Sequence, residues 1–144
     1  HVVAVKEASG NMTQICEVLR AVPPEFLVLS GDDALTLPAM AVGARGVVSV
    51  ASNVVPNAFR RLCGLARGGD AAGAEEFDAR LHALYHFLAV EPNPIPLKAL
   101  LALNGIGVGL RLPLQPLSSL HAAEAERLHA DILQLEQRCR PQAA

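Results

Sequence analysis

Aromatic side chains are scarce: four Phe, one Tyr and no Trp, 3% of the 144 residues. Stacking platforms of the kind that hold single-stranded nucleic acid are therefore not expected. Charge of one sign is lacking as well. Twelve basic side chains face 14 acidic ones, for a formal charge of −2, which is not the balance of a protein built to grip phosphate backbones. No apolar run reaches the roughly 18 residues a membrane helix needs. The longest, Ala99 to Leu110, is short and contains Asn104 and three glycines. No basic segment followed by an apolar run opens the chain, so no signal peptide is expected. Three cysteines, Cys16, Cys63 and Cys139, lie far apart without C-x-x-C or zinc spacing. That pattern reads as small apolar fillers in a reducing cytosol, not as a disulfide framework.

What is present is apolar. With 51% hydrophobic and 18% charged residues, the chain can bury a core and has the length of one domain. It opens at His1 instead of Met and enters an apolar run at once, so the expectation is a piece of something longer. Three β-branched runs stand out: Val2-Val3-Ala4-Val5, Phe26-Leu27-Val28-Leu29 and Gly46-Val47-Val48-Ser49-Val50. They are continuous and not alternating, as in parallel strands buried on both faces. Helical spacing over Asn11 to Val22, ended by Pro23-Pro24, and over Asp33 to Val42 fills the intervals. The pattern is a set of βα units with right-handed crossovers.

From there only helices are predicted. One runs from Val55 to Arg67 and is broken by Gly68-Gly69. A long one, capped by Asp70, runs to about Leu88. Glu91 to Pro96 is predicted to be a stiff extended connector. Leu97 to Leu103 is a helix, Gly105 to Gly109 a loop and Ser119 to Arg138 an amphipathic helix; Pro141 to Ala144 is predicted to be a frayed tail. The organisation is α/β: residues 1–69 hold the βα units and residues 70–144 form a helical appendage.

Lys6 is the most informative residue. It ends the first strand and precedes a turn, and in parallel α/β folds ligands meet the C-terminal ends of strands. A lysine stem inside such a sheet is desolvated, which favours the free amine that attacks carbonyls to form a Schiff base. A lysine there can also simply reach the surface. Gly31 follows the second strand, at its C-terminal end, and would let a ligand approach the backbone. Asp32 or Asp33 is read as a cap for the next helix. Val48, in the third strand, points either into a barrel or at its helical cover. His82 and His86 have the i, i+4 spacing of a metal pair but no third ligand and no H-E-x-x-H. The glycines at 105, 107 and 109 follow a helix and not a strand, so a dinucleotide loop is not supported. Ser9, Ser30 and Ser49 have no nearby His and no G-x-S-x-G setting, which leaves a serine nucleophile without support.

Taken together, these segments resemble a known superfamily. Val2 to Asn11, V-V-A-V-K-E-A-S-G-N, resembles the Schiff-base lysine strand of the dihydrodipicolinate synthase and N-acetylneuraminate lyase superfamily. Leu29-Ser30-Gly31-Asp32-Asp33 resembles its next strand end, and Gly46 to Asn53 the strand after that. Glu91 to Lys98 and Leu110 to Leu114 resemble its C-terminal region. The S-G-D-D and N-P-I-P forms favour the dihydrodipicolinate synthases over the sialic acid lyases. The resemblance implies strands six to eight of a (β/α)8 TIM barrel followed by a C-terminal helical domain. It implies a homotetramer, and a lyase that condenses pyruvate with aspartate semialdehyde to 4-hydroxy-tetrahydrodipicolinate on the route to diaminopimelate and lysine. Lys6 takes the Schiff-base role, Gly31 and Val48 lie near the bound pyruvate, and neither metal nor organic cofactor is required. A whole barrel takes about 250 residues. The family's Thr-Thr pair, its tyrosines and the arginine that receives the second substrate all precede the lysine strand and match no position here. The alternatives are another pyruvate-dependent aldolase or dehydratase of the superfamily, or a non-catalytic half-barrel that serves in assembly.

Overall fold

A computed structural model of the chain describes residues 1–107 and 109–141. Two short strands, β1 (Ala4–Glu7) and β2 (Leu27–Ser30), pair in parallel with Ala4 opposite Leu27 and Lys6 opposite Leu29. Helix α1 (Met12–Ala21) makes the crossover. Its start is written in the sequence: the Asn11 side chain accepts from the Thr13 N–H at 2.9 Å, and Gly10 takes the left-handed φ of +72° that lets the chain turn. Pro23, just past its end, cannot continue the helix. Helix α2 (Thr36–Ala41) follows β2. Ile15, Ala39 and Ala44 form a small buried cluster there, packed by Met12, Leu19 and Leu35.

The third run does not form a full strand. Ser30 and Val47 make an isolated parallel bridge. The Ser30 N–H donates to Gly46 O and the Val48 N–H to Ser30 O, both at 2.8 Å. Beyond Val48 the chain leaves β2, because the Val50 N–H donates to the Asp33 carboxylate at 3.2 Å instead. Burial on both faces is not met either. Val28 is buried, but Val2 and Val3 are 82% and 63% exposed, and β1 pairs only with β2 among the described residues.

Five further helices follow: α3 (Pro56–Arg67), α4 (Ala71–Ala79), α5 (His82–Leu88), α6 (Ile95–Leu103) and α7 (Ala122–Cys139). The long helix predicted from Asp70 is two. Asp70 does cap α4, accepting the Gly73 N–H at 3.0 Å, but the ladder closes at Arg80, and α5 restarts after a buried Leu81. The stiff connector is also shorter than predicted. Helix α6 already begins at Ile95 and carries Pro96 in its first turn, where a proline's missing N–H has no helical partner to lose.

Packing divides the chain into two compact units, one of His1–Val50 with Arg61–Arg80, the other of Ala51–Arg60 with the residues from Leu81 onward. In the first, the Arg61 guanidinium lies 5.1 Å from the centre of the Phe77 ring. In the second, α5, α6 and α7 pack on one another around Leu84, Phe87, Leu100, Leu128 and Ile132. The buried Glu136 of α7 accepts the backbone N–H groups of Asn57 and Ala58, each at 3.0 Å, and so caps the start of α3. Among the described residues, no helix is long and apolar enough to cross a membrane.

Candidate functional site

The C-terminal ends of β1 and β2 lie side by side, and the residues singled out at those ends meet there. Lys6 is exposed. Gly31 sits directly against it: a Cβ built on Gly31 would lie 2.8 Å from Lys6 Cε and 2.9 Å from the Glu7 carbonyl oxygen, and closer still to the Ala8 Cβ. No side chain fits at Gly31 without moving the lysine stem or the β1 backbone. The Gly31 N–H donates to Glu7 O at 2.6 Å, which fixes the approach.

Local hydrogen bonds set this geometry. The Ser9 N–H donates to Glu7 Oε1 at 3.0 Å and the Asn11 N–H to Ser9 Oγ at 3.2 Å, so the turn after Lys6 folds on its own side chains. On the β2 side, the buried Ser30 Oγ accepts the Asp32 N–H at 3.2 Å and donates to Asp32 O at 2.9 Å. Asp32 Oδ1 accepts the Ala34 N–H at 3.0 Å. Neither aspartate caps α2, whose N-cap position is Leu35 without a side-chain hydrogen bond. Their carboxylates instead shape the 31–34 turn and hold Val50. Val48 follows the bridge to Ser30, and its side chain is 43% exposed.

One residue of this region was not singled out from the sequence, the buried Glu7; Ser30, also buried, uses its hydroxyl to hold the turn after β2. The sequence places Glu7 in the turn after Lys6, whereas it is the last residue of β1 and faces away from the lysine.

The remaining candidates are carried by other elements. His82 and His86 are both exposed on α5, and no group of three or more His, Cys, Asp or Glu among the described residues could hold a metal ion. Gly105, Gly107 and Gly109 take positive φ; Val108 of that loop, and the predicted tail from Gln142 on, lie outside the described residues. All three cysteines are free and half-buried. Burial pushes the Cys63 thiol above its ordinary value, opposed in part by the Arg67 guanidinium.

The model of the dihydrodipicolinate synthetase family matches residues 1–134. The 4-hydroxy-tetrahydrodipicolinate synthase of Xanthomonas axonopodis pathovar citri is 48% identical over 136 residues, 94% of this chain and 45% of that protein. Among solved structures, the 4-hydroxy-tetrahydrodipicolinate synthase of Methylacidiphilum fumariolicum SolV superposes with a TM-score of 0.87 at 38% identity, covering 97% of this chain and 48% of that one. The chloride-inhibited dihydrodipicolinate synthase of Acinetobacter baumannii, in complex with pyruvate, superposes with a TM-score of 0.85 at 32% identity, covering 91% and 45%. The chain thus has the α/β fold of these structures and spans about half the length of the curated relatives it matches.

Proposed function

The chain belongs to the dihydrodipicolinate synthetase family, and on that premise we propose that it forms the lysine-bearing part of a Schiff-base lyase. In this reading its strands are the sixth to eighth of a (β/α)8 barrel, with residues 1–69 in the barrel and 70–144 in a helical domain. The barrel half that precedes the lysine strand in the relatives is its first partner. The assembled enzyme is a cytoplasmic homotetramer.

Lys6 is the nucleophile. Its free amine adds to the C2 carbonyl of pyruvate, and loss of water leaves an imine. The protonated imine draws electrons from the adjacent methyl group, a proton leaves that carbon and an enamine forms. The enamine carbon bonds to the aldehyde carbon of aspartate semialdehyde. The amine of that substrate then attacks the imine carbon, which closes the ring as 4-hydroxy-tetrahydrodipicolinate and releases Lys6. The electron sink is the imine itself, so the scheme needs neither metal nor organic cofactor. Gly31 keeps the space beside the lysine stem open, and Val48 supplies an apolar wall to the pyruvate pocket. The groups that shuttle protons and hold the second substrate belong to the preceding half.

One observation carries this reading: the only lysine at a strand end stands against a glycine that tolerates no side chain, at the face where parallel strands present ligands. Lys98, the other lysine, lies within α6. The test is a coupled assay with pyruvate and aspartate semialdehyde on two preparations. The first is the chain alone; the second is the chain joined behind the N-terminal part of the Xanthomonas axonopodis synthase, hereafter the completed protein. Turnover is expected only from the completed protein, because three parallel runs cannot close a barrel and groups that act as a unit fail together. Turnover by the chain alone at the completed protein's rate would remove the half-barrel reading, and none from either would remove the reaction.

A further inference from the structure

Glu7 follows Lys6 and faces the opposite way. The lysine is exposed, while the glutamate is 7% exposed. A carboxylate withdrawn from water needs hydrogen-bond partners. Here Oε1 has two, the Ser9 N–H at 3.0 Å and Gln14 Nε2 at 3.2 Å. Oε2 is buried and has no hydrogen-bond partner among the described residues. The main-chain oxygen of the same residue accepts the Gly31 N–H at 2.6 Å. One residue thus ties together the turn after the lysine strand, the first turn of α1 and the end of β2.

An apolar side chain would serve a buried strand position at least as well. A half-satisfied buried carboxylate runs against what stabilises a fold, and such local conflicts gather where a site requires them. The contacts state what the requirement is. Hydrogen bonds to Oε1 stiffen the turn that leaves the lysine, and the bond from Gly31 sets the distance between the two strand ends.

We propose that Glu7 is the positioning residue of the Lys6 amine: by accepting from Ser9 and Gln14 it locks the end of β1 against Gly31, so that the lysine stem holds one aim toward a carbonyl substrate. It touches no reacting atom. Its effect is on the rate of attack, since a reactant aimed slightly wrong loses much of the advantage of being bound. The inference rests on the Schiff-base reading of Lys6.

Two substitutions separate length from charge. Glu7→Gln keeps an oxygen at the right reach for the Ser9 N–H and removes the charge. Glu7→Asp keeps the charge and draws the carboxylate back by one methylene. Each is made in the completed protein and shown to be folded by circular dichroism. Pyruvate adducts are then trapped with borohydride over time, across a range of pyruvate concentrations. At saturating pyruvate Glu7→Gln should trap within about threefold of the unsubstituted protein and Glu7→Asp at least about tenfold slower, while the half-saturating concentration moves less than about threefold in both. Trapping by Glu7→Asp at the unsubstituted rate overturns the inference and leaves the Schiff-base reading standing. So does Glu7→Gln being as slow as Glu7→Asp, because the charge, and not the reach of the acceptor alone, would then be required. No adduct on the unsubstituted protein overturns both.

Discussion

Gly31 and Lys6 are in contact by design of the two strand ends: a Cβ on the glycine would come within 2.8 Å of the lysine Cε, with the Glu7 carbonyl oxygen at 2.9 Å. Two of the three obstructing atoms belong to backbone or to the short Ala8 side chain, which cannot swing aside.

Gly31→Ala should therefore do double damage. Overpacking at this position is expected to cost about 1–3 kcal/mol, read as a lowered thermal midpoint of the completed protein. Displacement of the lysine stem should slow pyruvate trapping at the same time. An alanine variant with unchanged melting and unchanged trapping would mean that the two strand ends are not held as described.

Val48→Phe probes the other wall. The native side chain is 43% exposed, so a larger group has room and the fold should survive. If Val48 lines the pyruvate pocket, the added ring should raise the pyruvate KM by about tenfold or more, equivalent to about 1.4 kcal/mol of lost binding. Melting and pyruvate kinetics on the one variant separate the outcomes. Lost stability with unchanged kinetics takes Val48 out of the site.

Glu136→Ala should weaken the helical unit without touching chemistry. It removes the acceptor of two backbone N–H groups at the start of α3. Unsatisfied donors at this partly buried helix start cost about 1–3 kcal/mol, to be measured as a shift of the urea midpoint of the completed protein, with the pyruvate KM as the control that stays fixed.

The features that could be read from the sequence are those with local causes. Asn11 and Asp70 cap the helices that follow them, Pro23-Pro24 lies just past α1, and parallel pairing follows from continuous β-branched runs. Lys6 and Gly31 could be placed together because one is the penultimate residue of β1 and the other directly follows β2. What could not be read depends on partners distant in the chain. The third run is cut to a bridge because Asp33, 17 residues earlier, takes the Val50 N–H. The cap from Glu136 onto α3 spans 79 residues and has no signature near Asn57. The single helix expected from 70 to 88 divides at Arg80, because a helical repeat of apolar residues continues through a break that leaves Leu81 buried. Glu7 reads in the sequence as one member of a polar turn, and only its burial marks it out.

Covalent trapping reads the chemistry of Lys6 itself. The completed protein is incubated with pyruvate, reduced with borohydride, digested and mapped by mass. The added mass should fall on the peptide containing Lys6. It should vanish in Lys6→Arg, since a guanidinium stays protonated and cannot act as this nucleophile. An adduct on Lys98 instead, or one that survives Lys6→Arg, would contradict the account.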